Sequence, residues 1–434
     1  MLSTESNTPR PQGTVAIETH GCKLNQADSE VIARQFTQAG YRVVNLNDGP
    51  DIYVLNSCTV THVADAKARQ ALRAARKRNP SLTVVATGCY AQRAPDQVRN
   101  VEGVDLVLGN RQKPRLVEAA LQARGVATVP CAEGVDSLTG PESLGRTRAM
   151  IKIQEGCNQV CAYCIVPKVR GKERSIPPEK LLQQVCQRVA EGYREVVLTG
   201  TQLGSYGFDL SQGDLRSLIE LVLEHGNVER LRVSSLQPQE ITPDLLNLWK
   251  DPRLCPHFHM PLQSGSNAVL KRMRRRYTAD QYRETVERIY GAIPHAAVTA
   301  DVLVGFPGET EEEYQETFRL CESVDFASMH VFPYSVRPGT SAAYMDSQVE
   351  PAVKRARMDR MLTLAEEKAS VFRRRSLGEI RPVLWEKEFE DGVYSGLTDN
   401  YLKVRVNTSR PLANEITWAR LTEEREGVIY SEVV

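Results

Sequence analysis

From Thr14 onward, short runs of β-branched and apolar residues alternate with polar or amphipathic stretches of helical length. VAIETHGC is followed by a predicted helix from about Asn25 to Ala39, DIYVLNSC by one from about His62 to Lys77, and then comes LTVVATGC. That rhythm belongs to βαβ units and predicts a doubly wound parallel α/β domain. DLVLG, ending at Gly109, and a helix from about Pro114 to Gln122 complete it over residues 14–125. Residues 126–148, with Gly, Pro, Ser and Thr and no clear period, read as a linker. A second alternation fills 149–375: MIKIQ, EVVLTG, ERLRVSSL, HFHMPLQ, AVTADVLVGF and ASMHVFPYS, each followed by a helical stretch. Six such units are too few for a closed eight-fold barrel, so they predict a partial (β/α)6 TIM-like barrel, open on one side, with its site at the carboxyl ends of the strands. After Arg375 the pattern changes to short alternating runs broken by turns, which predicts a small antiparallel β-barrel over 376–434.

A chain of 434 residues is large enough for about three domains, which excludes a peptide hormone or a lone binding module. No run approaches the roughly 18 apolar residues of a membrane span. The stretch Met1 to Gly13 lacks the basic-then-apolar order of a signal peptide, so the expected location is cytoplasmic, with no membrane partner. Basic and acidic residues number 55 and 54, so a nucleic-acid partner has to be met by local patches and not by a global field.

Ten cysteines change the picture, because in a large chain without an export signal they point to metal, redox or catalytic chemistry more than to disulfides. They form two separate patterns. Cys22, Cys58 and Cys89 each close a strand-like run, and in a parallel sheet the carboxyl ends of the strands share one edge, where such folds bind ligands. The three thiols can therefore converge. Cys157, Cys161 and Cys164, in EGCNQVCAYCIVP, are spaced C-x3-C-x2-C directly after the first strand of the second domain. Zinc is one reading, but a structural zinc site wants four ligands and no second knuckle lies nearby. An iron-sulfur cubane held by three thiolates keeps one iron open for a substrate. Cys131, Cys186, Cys255 and Cys321 read as structural, Cys186 falling mid-helix as a core residue would.

The spacing C-x3-C-x2-C, with Tyr163 before the third cysteine and heading a six-fold β/α domain, resembles the radical S-adenosylmethionine superfamily. The resemblance implies a 4Fe-4S cluster on Cys157, Cys161 and Cys164 whose open iron binds S-adenosylmethionine, and reductive cleavage to methionine and a 5′-deoxyadenosyl radical. It also implies cofactor contacts from Tyr163, from Thr199, Gly200, Thr201 and Gln202 after the second strand, and from Ser234 and Ser235 after the third. Gln263 and Ser264 stand where ribose or carboxylate contacts belong, and Gly305 and Phe306, in VGFPGET, where the turn faces adenine. The earlier triplet, in HGC, NSC and TGC, resembles the N-terminal domain of the methylthiotransferases, a branch of that superfamily, and the likeness runs through the whole chain to a TRAM-like barrel. This implies a second 4Fe-4S cluster on Cys22, Cys58 and Cys89 that carries sulfur, and an electron donor such as flavodoxin or ferredoxin. One S-adenosylmethionine would give the methyl group and another the radical.

Lys23 after the first cysteine, Thr59-Val60-Thr61 after the second and Tyr90 after the third resemble the branch that modifies N6-threonylcarbamoyladenosine at position 37 of tRNA. The isopentenyladenosine branch and the branch acting on a ribosomal-protein aspartate are the alternatives. A two-cluster electron-transfer or RNA-binding protein is the rival from another class. For a tRNA anticodon stem-loop, the candidate phosphate-binding surfaces are Lys67, Arg69, Arg73, Arg76, Lys77 and Arg78, and the basic run Lys271 to Arg276. Lys168, Arg170, Lys172 and Arg174, just after the clustered cysteines, are candidates to position the substrate. Residues 376–434 carry seven basic and eleven acidic residues, a poor charge balance for RNA, and Tyr394, Tyr401 and Trp418 are their candidate stacking surfaces.

Overall fold

The computed structural model describes residues 12–126 and 147–434. The linker over 126–148 therefore lies almost wholly outside the described residues, as does Cys131. The chain divides into two compact units, Met1–Thr139 and Gly140–Val434.

In the first unit, strands β1 (Gly13–Thr19), β2 (Tyr41–Val43), β3 (Ile52–Ser57), β4 (Thr83–Gly88) and β5 (Leu106–Gly109) form one parallel sheet in the order β2-β1-β3-β4-β5. The alternation of β3 explains why it is buried throughout. Ile52 and Val54 pack with Ile32, Phe36 and Leu116 on one face, while Tyr53 and Leu55 pack with Ala68, Leu72 and Ala75 on the other. Helices Lys23–Gln38 and Leu116–Ala123 cover the first face and helix His62–Arg78 the second, as a doubly wound sheet requires. The short edge strand β2 was not predicted, since three residues are too few to show a period.

In the second unit, β6 (Arg148–Lys152), β9 (Glu195–Thr199) and β10 (Arg230–Val233) form a parallel sheet; β11 (His257–His259), β12 (Ala297–Val304) and β13 (Ser328–Pro333) form another. Between β6 and β9, the two-residue strands β7 (Gln154–Glu155) and β8 (Arg174–Ser175) brace the intervening loop. Bridges Leu231↔Leu254 and Ser235↔His259 join the two sheets into one six-stranded arc, and among the described residues no pairing closes β6 onto β13. The arc is open on one side, as the sequence predicts. Its outer face is apolar: Ile151, Leu198, Val233, Phe258, Val302 and Val331 share one core with the covering helices.

The last strands, β14 (Ile380–Glu390), β15 (Val393–Thr398), β16 (Lys403–Asn407), β17 (Ile416–Arg425) and β18 (Val428–Val433), close a barrel in the order β14-β15-β16-β18-β17. The predicted barrel was antiparallel; one pair, β16 with β18, is parallel, because β17 returns between β14 and β18. This barrel belongs to the second compact unit and docks at the amino-terminal ends of the arc. Glu195, at the start of β9, is fully buried and takes Arg230 and Arg232 at 2.7 Å each. Both arginines also donate to barrel carbonyls, Arg230 to Thr398 at 3.0 Å and Arg232 to Asp399 at 2.9 Å. Tyr401 stacks on His257 with ring centroids 4.3 Å apart. Burial would push the Glu195 carboxyl up, but the two guanidiniums more than offset it and hold the group well below its usual range. Glu195→Ala leaves two buried cations without their anion and is expected to cost about 3–5 kcal/mol in urea denaturation. A midpoint unchanged from wild type would contradict this role.

Candidate active site

The first thiol triplet sits where its strands end. β1, β3 and β4 are adjacent in the sheet, and Cys22, Cys58 and Cys89 stand just past their carboxyl ends. The thiols are close enough that Cys58 feels both others electrostatically. Gly88 makes the approach possible: it turns β4 into Cys89 at φ +97°, and a Cβ there would lie 2.4 Å from the Ser57 carbonyl. Burial pushes the Cys58 thiol up to about 12, while the amide N–H of Val60 donates to its sulfur at 3.5 Å and Asn110 Nδ2 donates to Cys89 Sγ at 3.5 Å. Three converging sulfurs, two of them already accepting hydrogen bonds, suit a cluster that supplies the charge needed to hold them as thiolates.

The second triplet lies in the loop after β7. Cys157 and Cys164 each feel Cys161, and burial raises them to about 11 and about 12. The Gln159 amide donates to Cys157 Sγ at 3.4 Å. Arg275 was not singled out by sequence reasoning. It falls within a basic run read as a phosphate-binding surface, yet its guanidinium turns inward, donates to Cys161 Sγ at 3.6 Å and lies 4.8 Å from the Tyr277 ring centroid. Burial of Met273 and Tyr277 on either side draws it there. Arg272 in the same run pairs with Glu313, which leaves Lys271, Arg274 and Arg276 exposed.

Around the second triplet the predicted cofactor residues divide into two groups. Thr199, Gly200, Thr201 and Gln202 do lie at the end of β9, where Gln154 Oε1 accepts from the amides of Thr201 and Gln202 at 3.0 Å each. The buried Gln202 side chain bonds Gln237 and Glu240. Burial pushes the Glu240 carboxyl up to about 7, so a proton-holding acid, invisible as a motif, joins the polar cluster beside the loop. Ser234 faces Thr199 across neighbouring strands, 3.5 Å between hydroxyl oxygens. Gln263 adopts φ +65° and its backbone pairs with Asp301 and Leu303 of β12.

Other residues turn out to support the site from behind. Ser264 is fully buried against Thr317 at 2.9 Å, which ties its loop to helix Glu311–Ser323. The Phe306 ring is wholly buried beside Ala162, Val269 and Met273, edge-on to Tyr163 at 6.5 Å; it holds up the cysteine loop from below and presents no ring face outward. Gly305 keeps φ +72° under the Lys354 side chain, and its amide donates to Glu309 at 2.6 Å. Among the basic candidates, Lys168, Lys172 and Arg174 are exposed, but Arg170 is buried and bonded to Glu155 at 2.7 Å. Arg170 therefore braces the β7–β8 loop, a correction to its expected place before the substrate. Cys255 and Cys321 are buried as expected of structural residues; Cys186 is only half-buried, donating to the His225 carbonyl at 3.6 Å.

In helix His62–Arg78, Lys67, Arg73, Lys77 and Arg78 remain exposed, whereas Arg76 is spent on Asp105 at 2.5 Å. Of the barrel aromatics, Tyr394 is core and Tyr401 is docked, leaving Trp418 exposed at 57 %. Among the described residues no helix is long and apolar enough to cross a membrane.

Comparison with known proteins bears on this geometry. Residues 14–109 match the uncharacterized protein family UPF0004 and residues 151–321 the radical SAM superfamily. The chain is 39 % identical over 432 residues to the threonylcarbamoyladenosine tRNA methylthiotransferase MtaB of Bacillus subtilis, covering 96 % of this chain and 95 % of that one. It is 38 % identical to the protein of the same name from Aquifex aeolicus, covering 90 % and 96 %. Among solved structures, it is similar to the radical S-adenosylmethionine methyltransferase TsrM from Kitasatospora setae, with a TM-score of 0.56, 14 % identity, and 76 % of this chain and 77 % of that one covered.

Proposed function

This chain belongs to the tRNA methylthiotransferase family of radical S-adenosylmethionine enzymes, and from that membership we propose that it joins a methylthio group to C2 of N6-threonylcarbamoyladenosine at position 37 of tRNA. The observation that carries this reading is the pair of thiol triplets, the first converging at strand ends and the second gathered in the loop after β7, each with three sulfurs, which would leave one position open on each of two 4Fe-4S clusters. When bound, the cluster at Cys157, Cys161 and Cys164 supplies reductive cleavage of S-adenosylmethionine to a 5′-deoxyadenosyl radical, and the one at Cys22, Cys58 and Cys89 holds the sulfur to be transferred.

The chain's own residues position these groups. Gln154 fixes the amides after β9, so the Thr199 to Gln202 turn meets the amino end of S-adenosylmethionine in one conformation. Glu240, whose burial favours its protonated form, offers a second polar contact there. Tyr163, packed edge-on against the buried Phe306, is the cysteine loop's own candidate contact for the cofactor. Lys168 and Arg174 offer exposed charge to the phosphates of an anticodon stem-loop. A small electron carrier such as flavodoxin or ferredoxin feeds the reaction, and 14–125, 149–375 and 376–434 serve as sulfur-carrying, radical and TRAM-like domains.

Two residues of the branch signature, Thr59 and Tyr90, sit inside the N-terminal domain. Thr59 donates to Asp65 at 2.6 Å, and the buried Tyr90 hydroxyl accepts from Arg69 at 2.8 Å. These two residues thus record how the ground beneath the first triplet is packed, while Val60 is exposed, and the choice of threonylcarbamoyladenosine rests on the relatives.

Arg275 places a positive charge against Cys161, which favours uptake of an electron by a cluster bound there. Arg275→Met is expected to move the reduction potential of that cluster to more negative values in an anaerobic titration followed by electron paramagnetic resonance. An unchanged potential would contradict it. The function itself is tested by mass spectrometry of tRNA nucleosides after deletion of the gene: loss of the methylthio derivative of threonylcarbamoyladenosine is expected. Its persistence, with loss of methylthio-isopentenyladenosine or of methylthio-aspartate in a ribosomal protein, would overturn the assignment.

A further inference from the structure

Inside the arc lies a polar cluster that neither thiol triplet uses. Along β12, Val298, Ala300, Val302 and Val304 face the outer core, so Thr299, Asp301 and Leu303 face the opposite way, into the arc. Asp301 is the direct cross-strand partner of His330 on β13, and His259 reaches it from β11. The Asp301 carboxylate bonds both rings, Oδ2 to His259 Nε2 and Oδ1 to His330 Nδ1, at 3.3 Å each. Behind them the Thr299 hydroxyl meets His259 Nδ1 at 3.0 Å and His257 Nε2 at 3.2 Å, which continues the network down to the ring that Tyr401 covers.

Exposure rises through the cluster, from 14 % for the His259 side chain to 27 % for Asp301 and 60 % for His330. Two residues past His330 on the same face of β13, Phe332 is 44 % exposed, with its ring centroid 6.4 Å from that of His330. The network also lies near the cysteine loop. Tyr277 is within electrostatic reach of both Cys161 and Asp301, and the backbone carbonyl of Asp301 accepts from the Gln263 amide at 2.8 Å.

We infer that His259, Asp301 and His330, with Phe332 beside them, are the seat of the target purine, a site that rests on the function proposed above. An enzyme that works on one base takes it out of its stack and holds it by hydrogen bonds along its edge and by stacking on flat side chains. A purine edge offers ring-nitrogen acceptors and an N–H donor, and this face of the arc offers the complements: imidazole N–H groups, a carboxylate acceptor and two exposed ring surfaces. Burial favours a protonated Asp301, but the two imidazoles more than offset it and hold the carboxyl below its usual range, so the acceptor stays charged and fixed in place before substrate arrives. A divalent metal is the other ligand such a triad can take, since its ligating atoms lie within 4.8 Å of one another. The base is favoured because Phe332, exposed beside His330, extends the site with a stacking surface no metal needs.

The test uses full-length enzyme reconstituted with iron and sulfide. Binding is measured to an anticodon stem-loop carrying N6-threonylcarbamoyladenosine and to the same loop with an abasic site at that position. Wild type is expected to prefer the first, and Asp301→Asn and His330→Ala are each expected to weaken that preference by about tenfold while the abasic loop binds as before. Equal weakening for both loops would show a merely structural role and overturn the inference, as would full retention of the preference. One equivalent of tightly held divalent metal beyond the cluster iron, lost in Asp301→Asn, would overturn it in favour of a metal centre. Wild type that binds both loops equally yet methylthiolates tRNA would refute the seat alone; wild type that does neither would refute the function beneath it.

Discussion

Replacing Cys22, Cys58 and Cys89 together by alanine is expected to abolish methylthio transfer to tRNA while S-adenosylmethionine is still cleaved to 5′-deoxyadenosine. The separation follows from the geometry. These thiols close β1, β3 and β4 of a sheet with its own two cores, and the second triplet belongs to the other compact unit. Cys58 and Cys89 are small buried residues, so alanine removes sulfur without opening a large cavity and the domain is expected to stay folded. Liquid chromatography of the nucleosides and of the cleaved cofactor reads both outcomes from one reaction. Methylthio product from this variant at the wild-type rate would mean the first triplet carries no sulfur.

The matching variant, Cys157→Ala with Cys161→Ala and Cys164→Ala, is expected to lose both activities completely, because no cluster then remains to cleave S-adenosylmethionine. Its polar surroundings should survive: Gln154 still holds the amides of Thr201 and Gln202, and Phe306 still packs in its buried cluster. Thermal unfolding close to that of wild type should therefore accompany the loss, and residual 5′-deoxyadenosine formation would contradict the role given to these cysteines.

How much of this was legible in advance depended on whether the feature was periodic. The βαβ alternation exposes both α/β units, and because strand ends share an edge, it is enough to bring together three cysteines spaced far apart in sequence. What escaped was set by tertiary packing. Arg275 reads as one more charge in a basic run, and only the burial of Met273 and Tyr277 turns it toward Cys161. Arg170 reads as a substrate contact until its pairing with Glu155 is seen. Glu240 belongs to no motif; its weakened acidity comes from burial beside Gln202 and Gln237. The His259, Asp301 and His330 network joins three strands distant in sequence, and no spacing rule connects them. The acidic C-terminal barrel looked odd for RNA binding, and its Thr398 to Tyr401 segment turns out to receive Arg230 and Arg232 from the radical domain.

The central claim, two three-cysteine clusters on one chain, is tested most directly by counting iron and sulfide after anaerobic reconstitution of wild type and of each triple alanine variant. The account expects about eight irons in wild type and about four in either variant, as two cubanes of independent ligand sets require. About four irons in wild type, unchanged when Cys22, Cys58 and Cys89 are replaced, would contradict it and leave a radical enzyme with a single cluster.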